Sequence, residues 1–343
     1  MNQPLPSDAD LAEVADVTMR IRGAITTVLS GLDGAITSTL AVALAGGHLL
    51  MEDVPGVGKT TLARAFARSI DCATGRIQFT PDLLPSDVTG VNIFRSGEKE
   101  FEFRPGPVFA NVVIADEINR ASPKTQAALL EAMQERSVTV DGQTRKLPAP
   151  FLVVATQNPV EMEGTYPLPE AQRDRFMAQV EVGYPTARDE MKMLDTHDGA
   201  DPLELVRPVT DAATFARLSV IVSGVYAAPA IKQYIVDIAR ATRDESGLRL
   251  GASPRASLHL LAAAKSRAAM AARNHVLPDD VKALAVSVLS HRMILSTESR
   301  LAGRTARQIV TEILQRTSIP TEARDASPAR QPANAGQGGA LRT

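Results

Sequence analysis

The chain has 343 residues, a formal net charge of −2 at pH 7 and 44% hydrophobic residues. This length suggests roughly two domains, and this apolar content excludes a wholly disordered chain. The near-neutral charge gives no bulk attraction to nucleic acid or to anionic membranes. A single cysteine, Cys72, excludes an intrachain disulfide framework and a cysteine-rich metal site.

The amino-terminal residues show no targeting signal. Residues 1–17 are acidic and lack the basic start and apolar run of a signal peptide. The longest apolar stretch, residues 40–51, is far shorter than the ~18 residues that a membrane span needs. We therefore expect a cytoplasmic protein without a membrane span, in which residues 1–12 form a flexible segment.

Residues 13–185 alternate short β-rich apolar runs with helical patterns, which is typical of a parallel sheet covered by helices. The runs expected to form strands are residues 48–52, 76–80, 112–116, 151–156 and 176–182. Helices are expected between them, as at residues 60–70 and 123–134. Two hairpins, at residues 91–104 and 138–147, are either local cover or contact arms.

After residue 185 the β-rich runs largely vanish and helical patterns follow. These helices are expected at residues 187–196, 212–222, 230–243, 254–272, 279–290 and 304–315. They predict an all-α domain over residues 186–317. Residues 318–343 are rich in Ala, Pro, Gln and Gly, and are expected to form a disordered tail.

A glycine-rich segment, DVPGVGKT at residues 53–60, joins the first predicted strand to a helix. Its two glycines let the backbone turn N–H groups around phosphate oxygens, and the helix N-terminus favours an anion. Lys59 would reach the β- and γ-phosphates, and the Thr60 hydroxyl would hold Mg²⁺. The strict phosphate-loop pattern has glycine where Asp53 stands. The alternative is a glycine-rich turn with a surface lysine.

Two adjacent acids end the apolar strand at residues 112–116. Buried carboxylates are costly without a cation or solvent to compensate them. Asp116 can bind Mg²⁺ through water, and Glu117 can polarise an attacking water. The alternative is an acidic loop that caps the next helix. Together with the phosphate loop, these acids predict nucleoside-triphosphate hydrolysis.

A third buried strand, at residues 151–156, runs into Gln157 and Asn158. The Asn158 amide could hold the lytic water against the γ-phosphate, or Asn158 could simply open a turn before Pro159. All three motifs lie at the carboxyl ends of predicted strands, where open α/β sheets place ligands.

Three arginines could stabilise charge on the transferred phosphoryl group. Arg173 and Arg175 precede the last predicted strand. Arg255 lies in the first turn of a helix in the second domain, where the helix dipole disfavours a cation, so we expect it to have an anionic partner. The alternative for each is a solvated cation.

These motifs together resemble the MoxR family of AAA+ ATPases over residues 14–315. Further segments that carry the resemblance are residues 79–90, 103–109, 116–135 and 164–172. The resemblance implies a P-loop AAA+ module, with a parallel five-stranded sheet flanked by helices, followed by an all-α lid domain. The hairpin at residues 91–104 would lie in the helix-2 insert, and that at residues 138–147 would precede sensor 1.

The resemblance also implies roles for the candidate residues. Residues 56–61 would form Walker A, Asp116 and Glu117 Walker B, and Asn158 sensor 1. The expected residues are, for catalysis, Lys59, Glu117, Asn158, Arg175 and Arg255; for nucleotide binding, Asp53, Val54, Pro55, Gly56, Val57, Gly58, Lys59, Thr60, Thr61, Asp116 and Arg255; and for the metal, Thr60 and Asp116.

By the same resemblance, Arg175 matches the arginine finger that acts across the subunit interface. Arg255 matches sensor 2, contributed by the lid of the same subunit. Arg173 stands where members of the family commonly carry an apolar residue, so the choice between Arg173 and Arg175 as the finger stays open.

Members of this family resemble chaperones that form rings, often hexamers, and commonly work with von Willebrand factor A-domain proteins. The leading hypothesis is therefore a homo-oligomer that uses ATP and Mg²⁺ to remodel or mature partner proteins. A nucleotide-dependent assembly switch is the first alternative. A nucleic-acid motor is less favoured because the hairpins mix basic residues with acidic ones and form no dense basic stripe.

Overall fold

The computed structural model describes residues 5–52, 56–95, 97, 100–157, 165–184, 186–196 and 202–319, with the backbone alone for residues 192–196. Five expectations fall outside these residues. They concern Asp53, Val54, Pro55, Asn158 and the tail beyond residue 319.

The first part of the chain folds into a parallel sheet with helices on both faces. Its elements in chain order are α1 (Asp8–Thr26), α2 (Asp33–Leu44), β1 (Leu49–Glu52), α3 (Lys59–Ser69), β2 (Thr74–Gln78), α4 (Pro85–Thr89), β3 (Gly90–Arg95), β4 (Glu100–Pro105), β5 (Val112–Asp116), α5 (Pro123–Glu135), β6 (Ser137–Val140), β7 (Gln143–Lys146), β8 (Leu152–Gln157), α6 (Glu170–Arg173) and β9 (Ala178–Val180).

The central sheet has five strands in the order β2-β5-β8-β1-β9, and all neighbours are parallel. Each predicted apolar run forms one of these strands, within two residues of the predicted ends. All residues of β5 are buried, as expected for a strand covered by helices on both faces. Parallel pairing brings the carboxyl ends of β1, β5 and β8 to one edge of the sheet.

Residues 8–12 differ from the expectation. Residues 1–12 were expected to form a flexible segment, but α1 begins at Asp8. Ser7 and Asp10 form a reciprocal capping box at its start, and Leu11 is 1% exposed in the core. Local capping together with burial of the apolar face fixes this helix.

Two antiparallel hairpins project from the sheet domain. One is β3–β4 and the other is β6–β7. The Asn92 amide of the first donates a hydrogen bond of 2.6 Å to the Asp141 carboxylate at the turn of the second. The Arg145 guanidinium lies 3.9 Å from the centre of the Phe103 ring. The two hairpins therefore contact each other through polar and cation–π interactions.

The remaining elements form a mainly helical lid. They are α7 (Ala187–Thr196), α8 (Ala212–Ser223), α9 (Pro229–Arg243), β10 (Leu248–Leu250), α10 (Pro254–Met270), α11 (Pro278–Leu289), β11 (Ile294–Leu295), α12 (Thr297–Leu301) and α13 (Ala306–Arg316). The strands β10 and β11 form a small antiparallel pair. Helix α10 packs against α1 and α2, and its side chains share one apolar core with the sheet domain. Within the described ranges, no helix has the length and apolar character that crossing a membrane requires.

Candidate active site

The glycine-rich turn leads directly into α3. Gly56 and Gly58 have φ of 84° and 90°, a backbone region that glycine adopts without strain. Gly58 is the N-cap of α3, and within the described part of the chain no side chain caps this end. The first turn of α3 carries no acidic residue. The N-terminus of this helix and its dipole therefore suit an anion such as a phosphate.

Asp116 lies at the end of β5 and is 6% exposed. The hydroxyls of Thr60 and Thr156 donate to its Oδ1 at 3.2 and 3.4 Å. Arg76 of β2 donates through Nε to Oδ2 at 2.8 Å, so the carboxylate is compensated within the chain. The carboxylate and hydroxyl oxygens are the donor type that Mg²⁺ prefers, and they fit the expected metal site.

Glu117 turns away from the strand direction. Its φ of 57° is left-handed, an unusual backbone for a non-glycine residue that costs of order 1–3 kcal/mol. Its N–H donates to the Thr156 hydroxyl at 3.0 Å, which holds this turn. Its Oε2 accepts from Gln78 at 3.3 Å and lies 3.0 Å from Arg120. The carboxylate is thus partly exposed and lies within salt-bridge distance of a guanidinium.

Sequence reasoning missed the partners of the two acids. These are Arg76, Gln78, Arg120 and Thr156. Gln78 pairs directly with Asp116 in the parallel register, so the end of β2 necessarily lies beside the acids. Once the strand order is known, polar residues at the ends of neighbouring strands identify these partners.

Arg175 and Arg255 lie together at the opposite edge of the sheet. They line one cavity of about 350 Å³, with Arg136, His48 and His259. His48 and Arg175 precede β1 and β9, so the cavity lies at the amino ends of the strands, whereas the phosphate loop follows the carboxyl end of β1. Four residues of strand separate these ends by ~13 Å.

The structure corrects the expected placement of Arg255. The lid was expected to bring this residue to the phosphate loop of its own subunit. Instead Arg255 lies 3.8 Å from Asp174, beside Arg175. The reason is that α10 packs on α1 and α2, which places its first turn against the amino ends of the strands.

The two arginines before β9 face different spaces. Arg173 lines a separate cavity of about 470 Å³ with Gln179 and Glu181. Burial raises the pKa of nearby Glu52, and the positive charge of Arg173 opposes this rise. Only Arg175 shares a cavity with Arg255.

The cavity that holds Arg175 takes its positive charge from arginines, since its two histidines are neutral. Burial lowers the pKa of His48 to about 3 and that of His259 to about 4. The charges of this cavity therefore come from Arg136, Arg175 and Arg255, with Asp174 as an acidic neighbour. Such a group of guanidinium cations suits the oxygens of a phosphate.

Two family models match the chain. One, described as the ATPase family associated with various cellular activities (AAA), matches residues 48–178. The other, the AAA lid domain, matches residues 240–313. The first match spans the phosphate loop and both acids, and the second includes Arg255.

Similar proteins cover most of the chain. Protein YeaC of Bacillus subtilis is 51% identical, over 87% of this chain and 93% of its own length. Chaperone MoxR1 of Mycobacterium tuberculosis is 41% identical, over 85% of this chain and 80% of its own length. Protein MoxR of Paracoccus denitrificans is 34% identical, over 83% of this chain and 91% of its own length.

Solved structures share the fold. The crystal structure of an ATPase candidate from Cytophaga hutchinsonii superposes with a TM-score of 0.85 at 37% identity, over 91% of this chain and 97% of that chain. Together with the sequence relatives, this similarity establishes that the chain is a nucleotide-binding ATP hydrolase of the MoxR family of AAA+ ATPases.

Proposed function

We propose that the chain hydrolyses ATP in sites shared between adjacent copies of itself. The phosphate loop and the arginine cavity lie at opposite edges of one sheet, and this separation carries the proposal. One copy supplies Lys59, Thr60 and the two acids, and its neighbour supplies Arg175 and Arg255. In a closed ring, for example a hexamer, every copy offers its phosphate loop to one neighbour and its two arginines to the other, so that each interface holds one complete site.

Within such a site each residue has a distinct task. The N–H groups of residues 56–61 and the Lys59 ammonium bind the phosphates. Thr60 and Asp116 hold Mg²⁺, which screens phosphate charge. Asp53, Val54 and Pro55 complete the loop, as the sequence predicts.

The proposed hydrolysis step uses a second group of residues. Glu117 accepts the proton of the attacking water, and Asn158 orients that water. Arg175 and Arg255 of the neighbouring copy stabilise the negative charge that spreads over the phosphoryl oxygens.

The test is turnover in mixed oligomers. Arg175→Ala subunits keep an intact phosphate loop, and Glu117→Gln subunits keep an intact finger. A 1:1 mixture has roughly a quarter of its interfaces complete, so turnover should recover to about that fraction of wild type, although each variant alone is inactive. Arg173→Ala is the matched control, and we expect it to keep most of its turnover. A mixture no more active than its parts contradicts shared sites.

We further propose that the ring remodels or matures partner proteins, as the name of the relative chaperone MoxR1 suggests for that protein. A von Willebrand factor A-domain protein is the proposed adaptor. Glu117→Gln with ATP should hold the ring in its ATP-bound state and retain such a protein on an affinity column. Equal retention with ADP, or by Lys59→Ala, contradicts an ATP-dependent partner.

A further inference from the structure

A buried arginine of the lid lies against the loop that carries Arg175. Arg292 follows α11, and its side chain is 2% exposed. Its Nε donates to the Asp174 carboxylate at 2.9 Å. Its terminal nitrogens donate to the backbone carbonyls of Asp174 at 3.3 Å, Phe176 at 2.5 Å and Met177 at 3.3 Å. One guanidinium therefore binds the chain on both sides of Arg175.

Other lid residues bind the same loop. The Ser253 hydroxyl donates to Asp174 at 2.8 Å, and His291 donates through Nε2 to the Phe176 carbonyl at 3.2 Å. His259 accepts from Arg292 through Nδ1 at 2.6 Å. Burial lowers the pKa of His259 to about 4, which keeps that nitrogen unprotonated at neutral pH. The lid thus holds the loop through a connected polar network.

The chemistry of this network indicates that it positions the Arg175 loop, rather than that it mainly stabilises the folded state. Burying a guanidinium carries a large desolvation cost, and a buried ion pair often adds little net stability over an apolar contact. The planar guanidinium instead fixes geometry, because its donors meet several acceptors at set angles. Asp174 also lies 3.8 Å from Arg255, so the network reaches both arginines of the cavity.

We propose that Arg292 is a positioning residue for Arg175. It ties the Arg175 loop to the lid, so that the lid and the finger of one subunit move together toward the nucleotide of the neighbouring subunit. This inference rests on the shared site proposed above, and it adds the residue that aims the finger.

The test uses Arg292→Lys, which keeps the positive charge but cannot bridge these acceptors together. We expect turnover to fall ~10- to 100-fold, the effect of a misplaced catalytic group, while fluorescent ATP-analogue binding stays at wild-type affinity. Mixing with Glu117→Gln should restore activity, since those subunits donate an intact finger. Mixing with Arg175→Ala should not, because both variants lack a working finger.

Two further variants keep the test decisive. Arg273→Lys changes another lid arginine that binds a buried carboxylate, that of Asp280 at 2.6 Å, but lies outside the loop network. This substitution should not impair the finger, so mixing Arg273→Lys with Arg175→Ala should still give turnover. If Arg292→Lys does not fold, Asp174→Asn decides, because it weakens the same network from the loop side.

Each contrary result overturns the inference. Unchanged turnover, rescue by Arg175→Ala, or failure of rescue by Glu117→Gln contradicts a role in aiming the finger. The mixture of Arg175→Ala with Glu117→Gln, measured in parallel, separates the two proposals. If that mixture recovers turnover and the mixture of Arg292→Lys with Glu117→Gln does not, the positioning role alone has failed. If neither recovers, the shared site has failed and the positioning role with it.

Discussion

Acid should weaken the fold through His48, which is buried immediately before β1. Its Nδ1 lies 3.0 Å from the Val153 N–H and its Nε2 lies 3.1 Å from the Met133 carbonyl. Because Val153 can only donate, Nδ1 must accept and Nε2 must carry the proton. A second ring proton would face the Val153 N–H, so the site favours the neutral ring.

The size of the effect follows from the two pKa values. Burial lowers the pKa of His48 to about 3, against 6.5 in the unfolded chain. Between these values the unfolded chain binds more protons, so this contribution to stability is complete above pH ~6.5 and is lost as the pH falls. The slope is ~1.4 kcal/mol per pH unit, which amounts to ~2 kcal/mol at pH 5.

The assay is urea unfolding at pH 7 and pH 5, for the wild type and for His48→Gln. The glutamine amide can accept from one partner and donate to the other, but it does not titrate. We expect the loss of unfolding free energy between the two pH values to be ~2 kcal/mol smaller in the variant. An identical loss in both proteins would refute the assignment of a neutral, doubly bonded His48.

Three other changes have defined outcomes. Glu117→Gln should lower phosphate release by ~10²- to 10⁴-fold without weakening ATP binding, and an unchanged rate would favour the assembly-switch alternative. Arg76→Met removes the cation that competes with Mg²⁺ for the Asp116 carboxylate. The Mg²⁺ concentration for half-maximal turnover should therefore fall, by up to ~5-fold for a partly exposed ion pair. A rise in that concentration would show instead that Arg76 helps to bind the metal nucleotide. Gly75→Ala would place its Cβ 2.0 Å from the Pro107 carbonyl oxygen, so thermal denaturation should reveal at least ~1–3 kcal/mol of destabilisation.

Much of the fold could be predicted from local patterns. The strand that ends at Asp116 appears in the sequence as an apolar run that stops at an acid, and the structure gives it the same bounds. The helix expected at residues 123–134 begins at Pro123 in the structure, and the Ser122 side chain caps it. These features depend on a few neighbouring residues, and the sequence displays them directly.

Long-range placement could not be predicted in this way. Nothing in the periodicity of residues 254–272 states that this helix packs on α1 and α2 and carries Arg255 to the amino ends of the strands. Likewise Arg76 contacts Asp116 because their strands are neighbours, which is a property of the sheet order. The role of Asn158 stays a prediction because that residue lies outside the described part of the chain.

A cryo-electron microscopy structure of Glu117→Gln with Mg²⁺ and ATP would show whether adjacent copies share the active site. We expect a closed oligomer in which the guanidinium groups of Arg175 and Arg255 reach the γ-phosphate bound by Lys59 of the adjacent copy. A map in which both arginines instead reach the nucleotide of their own subunit, or in which the nucleotide lies far from any neighbouring copy, would contradict it.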